Sequence, residues 1–315
     1  MGKESGMVMT VECKGEKISG VSATVDIVLK ELVRRIVERD PALDGVLTRV
    51  VVADDFPAAL VDLGEPPAPA GSLVPTVART LFRDSGPVLV LEGAQVAAAL
   101  GGEASDMARF VHVLHSELWR IRLQLDALDA GEAGLGAWAD SLFDSQLRPV
   151  VETMRNEYGV TRRAVWSLPG ESDLMLRHLL DVVVALPEAT QEDVVVAVSE
   201  DDLDGLFVRS LGRVAHLVHT AAHAQGYLAG LGRPLEAISA ELDGLLRDSF
   251  FGPHWGPLTE QLDAVFQADS AEAVEHARAA LQERVLAVFV SLGLLLRRAE
   301  DGGVWIEPLS SGRAR

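Results

Sequence analysis

The sequence predicts an α+β fold: a small N-terminal mixed α/β lobe with a short sheet, followed by a predominantly helical lobe. Three observations carry that prediction. Short alternating or continuous apolar runs bounded by Gly, Pro or Asp are concentrated in the first hundred residues. From Glu103 onward, apolar residues recur at helical spacing almost without interruption. The chain of 315 residues, 48% of them hydrophobic, is long enough to bury a sizeable core.

In chain order, Val8 to Cys13 alternates like a short strand, and Ser22 can cap a helix over 23–38 that carries Val25, Val28, Leu29, Leu32, Ile36 and Val37 on one side. A strand follows at 47–52, leading into Asp54-Asp55, and another at 87–91. Between them, Pro66 to Gly71 holds three prolines and reads as a loop, because proline fixes φ and removes backbone donors. Helices are then expected over 104–128, 136–164, 171–186, 201–209, 211–229, 234–248, 256–267 and 271–298, with only Val304 to Ile306 extended near the end. The organisation expected is an N-terminal α+β lobe at 1–102, two motif-bearing helices at 103–168 and a C-terminal helical lobe at 169–315.

Composition excludes several function classes. A net charge of −19 opposes binding to a phosphate backbone, which needs a basic face, so no nucleic-acid partner is expected. The most apolar stretch, Val285 to Leu296, falls short of the roughly 18 residues of a membrane span. Cys13, as the single cysteine, can form no internal disulfide. The opening residues lack the apolar core of a secretory signal, and a cytoplasmic location is the expectation. No Gly-x-Ser-x-Gly elbow, phosphate-binding loop or dinucleotide fingerprint follows a strand.

The helix over 104–128 carries the most information. Met107, Val111, Leu114, Leu118, Ile121 and Leu125 form a narrow apolar stripe, which must be buried. His112, Ser116, Trp119 and Arg120 lie on the opposite side, and that mixture of donors, acceptors and an indole predicts a surface that faces something more specific than water.

The run Val113 to Arg122 (VLHSELWRIR) resembles the active helix of zincin metallopeptidases, specifically bacterial members with a motif of the type His-Glu-Leu-x-His-Val. The resemblance places Glu117 at the general base, Ser116 at the first zinc ligand and Arg120 at the second. Ligands four residues apart share one helical face, which is why the spacing matters; a serine and an arginine there cannot hold the metal. Further on, Arg155 to Arg163 (RNEYGVTRR) is similar to the second motif of that family, with Glu157 at the third ligand, Tyr158 after it, and Arg155 where the family often has tryptophan. Glu157 shares a face with Leu147, Val150, Met154 and Thr161, so its carboxylate needs a partner.

The resemblance implies a zincin-like pseudo-metallopeptidase without metal or other cofactor, acting by binding a protein or peptide or as a structural partner. In this reading the Arg120 guanidinium replaces the zinc and pairs with Glu157, and Ser116 completes the hydrogen bonds. Two alternatives stand beside it. One is a zinc-dependent hydrolase with rearranged ligands, His112, His115 and Glu157, although the two histidines diverge by about 60° around the helix. The other is a helical interaction module.

His216, His219, His223 and Tyr227 form a second cluster on one helical stripe, within about 80° of one another. They read either as a metal or acidic-ligand site or, preferentially, as a polar face whose imidazoles meet carboxylates. The pattern of 256–267 and 271–298 would serve a homodimer interface and internal packing equally.

Overall fold

The structure is a computed structural model that describes residues 9–66, 77–129, 141–168, 174–300 and 302–309. The chain is an α+β protein that forms two compact units, Met1–Asp129 with Trp166–Glu171, and Ala130–Val165 with Ser172–Arg315. The proline loop predicted at 66–71, apart from Pro66, lies outside the described residues.

The first unit runs β1 (Thr10–Lys14), α1 (Glu16–Ser19), α2 (Ser22–Arg39), β2 (Arg49–Ala53), α3 (Phe56–Asp62), β3 (Ala78–Arg83), β4 (Gly86–Glu92), α4 (Gly93–Leu100) and α5 (Ala104–Asp129). Its sheet has the order β1-β2-β4-β3, with β1, β2 and β4 parallel and β3 antiparallel on the edge. The near-continuous apolar sequences of β2 and β4 follow from burial on both faces. Val50, Val52, Leu89 and Leu91 point into one core with α2, α4 and α5, whereas Val51, Ala53, Val88 and Val90 face Phe56 and Ala59 of α3.

The sequence reading did not include β3. Its Arg79, Phe82 and Arg83 are exposed, as suits a strand that must resist further pairing, and this polarity hides it among turn residues. Asp54 and Asp55 serve as caps. Asp55 accepts from Ala58 N at 3.0 Å to start α3, and Asp54 accepts from Lys17 N at 2.8 Å at the start of α1. On α5, Leu114, Leu118 and Ile121 are fully buried, as the apolar stripe requires.

The second unit is helical: α6 (Leu142–Ala164), α7 (Leu174–Glu200), α8 (Leu203–Leu231), α9 (Leu235–Ile238), α10 (Ala240–Asp248), α11 (Gly252–Gln267) and α12 (Ala271–Ser291), then an antiparallel hairpin of β5 (Leu294–Arg298) and β6 (Val304–Pro308). Several boundaries differ from expectation, and three of them show the cause. Helix α7 continues through Pro187 because its buried side, with Val183, Leu186, Thr190 and Ala197, continues beyond the proline. The break expected between 209 and 211 is absent, and α8 runs through Gly212 as one rod. The apolar run expected to end a helix at 298 instead turns at Gly293 (φ 78°) and becomes β5.

Helices α6 and α8 meet backbone to backbone. A Cβ added at Gly226 would lie 2.6 Å from the Tyr158 carbonyl oxygen, and one at Gly230 would lie 2.6 Å from that of Arg162. Gly226→Ala is therefore expected to lower the unfolding free energy by about 1–3 kcal/mol. Gly212→Ala on the same helix, where the new methyl meets nothing within 4 Å, should raise it by up to about 1 kcal/mol. Urea denaturation of the two variants checks both signs.

Candidate functional site

Helix α2 ends at Asp40, whose backbone (φ −121°, ψ 78°) is held out of the helical region by Pro41. Asp40 Oδ2 accepts from the indole Nε1 of Trp166 at 2.9 Å and of Trp119 at 3.2 Å, and lies 2.7 Å from Nε2 of His115. His115 is fully buried. A carboxylate taken out of water requires such donors, and a contact of 2.7 Å with an imidazole requires the proton on Nε2. Trp119 Nε1 also lies 3.0 Å from that nitrogen; since Nε2 carries hydrogen, the indole donates to the carboxylate instead.

The other face of the imidazole network is a serine. Ser167 Oγ lies 2.8 Å from His115 Nδ1 and 3.0 Å from His112 Nδ1. Trp166 lies against the His115 ring at 4.4 Å between centroids, tilted by 45°, and the Arg39 guanidinium lies 4.1 Å over the same indole. All of these residues belong to the first unit.

On the same helix, Glu117 is mostly buried, with 13% of its side chain exposed, and both its oxygens are engaged. Oε1 accepts from Arg120 Nε at 3.2 Å, and Oε2 accepts from Thr80 Oγ1 at 3.0 Å on the edge strand β3. Ser116 is half-buried beside them. Helix α5 thus gathers His112, His115, Ser116, Glu117, Trp119 and Arg120, and each bond just described closes on the first unit's own groups.

Glu157 and Tyr158 stand on α6, in the second unit. Glu157 Oε2 is 3.9 Å from His223 Nδ1. Tyr158 donates to Asp263 at 2.6 Å and accepts from Arg162 at 2.8 Å, while Arg162 also pairs with Asp263. Burial, then the bond to Asp263, raises the phenol above its ordinary range, so Tyr158 is held as a neutral donor.

The histidine stripe of α8 also lies in this unit. His216 is exposed and meets His178 edge to face at 5.7 Å, His219 Nε2 donates to the Val150 carbonyl at 3.2 Å, and Tyr227 is buried. Glu157 supplies from α6 the carboxylate that the stripe itself lacks. Among the described residues, no group of three or more His, Cys, Asp or Glu side chains is arranged to hold a metal ion.

Comparison of the chain with protein-family models, with curated proteins and with solved structures gives no match. The site therefore rests on its own geometry. Sequence reasoning missed Asp40, Thr80, Trp166 and Ser167 as site residues. The one available signal was the Asp-Pro step that closes an amphipathic helix.

Burial lowers the pKa of His219 from its ordinary value near 6.5, against the opposing Val150 carbonyl and Glu157, with the neighbouring His216 adding the smallest effect. A depressed histidine takes up its proton in the unfolded chain first, so stability is expected to fall as pH drops below about 6.5. His219→Gln should reduce this slope in urea denaturation between about pH 7 and 5. A residual slope is expected from His254, which burial lowers in the same way.

Proposed function

We propose that the chain is a zincin-like binding protein in which protein groups have taken over the place of the metal. The observation that carries this reading is the engagement of Glu117. A general base must be free to reach a metal-bound water, whereas here Arg120 and Thr80 each bind one of its oxygens. The cation beside the carboxylate is a guanidinium, which is always charged and cannot act as a Lewis acid with open coordination positions.

The alternative ligands are also engaged: His112 and His115 both direct Nδ1 at Ser167. The half-buried polar face of α5 carries hydroxyl, guanidinium, imidazole and indole groups, the group types that hydrogen-bond a peptide. A protein or peptide segment is the partner proposed.

Zinc titration by calorimetry tests the reading. Tag-free wild-type protein is expected to take up no zinc at micromolar concentration and to leave casein intact. The double variant Ser116→His, Arg120→His restores two ligands four residues apart and should gain zinc binding. One zinc per wild-type chain, lost in Glu117→Gln, would overturn it.

A further inference from the structure

Asp40, His115 and Ser167 are joined in one hydrogen-bonded line, carboxylate to imidazole at 2.7 Å and imidazole to hydroxyl at 2.8 Å. We propose that this line is an acyl-transfer relay, with Ser167 as nucleophile, His115 as general base and Asp40 as the group that orients it, acting on neutral carboxylic esters. The inference is independent of the lost zinc chemistry, since it uses no metal and neither Glu117 nor Arg120.

Three features support it beyond the distances. With the Nε2 proton directed at Asp40, the lone pair of His115 Nδ1 faces Ser167 Oγ, the tautomer a general base needs. The carboxylate is fixed by two indole N–H groups, so it cannot swing away from the imidazole. His115 has no exposed surface, whereas Ser167 is half-exposed, so the base is shielded from water and its nucleophile remains within reach. A second imidazole, His112, stands 3.0 Å from the same hydroxyl. The substrate class follows from the surroundings: the two indole rings and the Asp40 carboxylate beside the relay suit an apolar, uncharged ester.

The chemistry balances without a further reactant except water. Ser167 Oγ bonds to the ester carbonyl carbon while its proton passes to His115 Nδ1, and the carbonyl electron pair moves onto oxygen. Collapse breaks the carbon–alkoxy bond, and the leaving oxygen takes the proton from His115. Water then attacks the acyl-serine, gives its proton to His115, and the Ser167 hydroxyl is restored as the acid departs.

The test is labelling of the full chain with a diisopropyl fluorophosphonate, read by mass spectrometry of peptides, together with release of nitrophenolate from p-nitrophenyl acetate. The expected result is a single adduct on Ser167, abolished in Ser167→Ala and slowed by at least about tenfold in Asp40→Asn. Circular dichroism verifies that each variant is folded; if Asp40→Asn is not, His115→Gln takes its place. Absence of an adduct on Ser167 in the wild-type protein would overturn the proposal, as would an unchanged labelling rate in a folded Asp40→Asn variant.

Discussion

A carboxylate oxygen partly shielded from water must be met by donors, and Asp40 meets that constraint by drawing three separate parts of the chain to one point. The C-terminal end of α2 supplies the acid, α5 supplies His115 and Trp119, and residue 166 supplies a second indole. Removing one partner of such a cluster leaves the others buried and unsatisfied, which is more costly than the bond itself is stabilising. The orientation of α5 follows from this point and from the apolar stripe beneath it. The orientation of the helix in turn sets where Glu117 meets the edge strand.

The same helix therefore satisfies two carboxylates by different means. Asp40 is hydrogen-bonded by an imidazole and indoles, and Glu117 by a guanidinium and a threonine hydroxyl. Neither arrangement leaves the open geometry that a catalytic metal needs.

The fold class, the α5 stripe and the strands at β1, β2 and β4 were legible because burial imposes a period on the sequence. What escaped was set by contacts that no local window contains. Edge strand β3 sets Thr80, Leu81 and Phe82 between Arg79 and Arg83, too short an apolar run to mark a strand. Pro187 and Gly212 look like breaks, yet tertiary packing carries α7 and α8 through them. The triple leucine of β5 has no period to separate strand from helix. Within the site, residues on α5 were visible as a face, but Asp40 and Ser167 lie 75 and 52 positions from His115 and acquire their roles only through the fold. The carboxylate facing His223 was invisible for the same reason, since Glu157 belongs to another helix.

The account depends on the Asp40 to His115 bond being a strong, specific interaction rather than an incidental approach. A double-mutant cycle with Asp40→Asn and His115→Phe, read by denaturant unfolding followed through tryptophan fluorescence, measures that bond. Coupling of about 1.5–3 kcal/mol is the predicted result. Additivity within about 0.3 kcal/mol would contradict the account, because the carboxylate would then not be the point on which α5 is held.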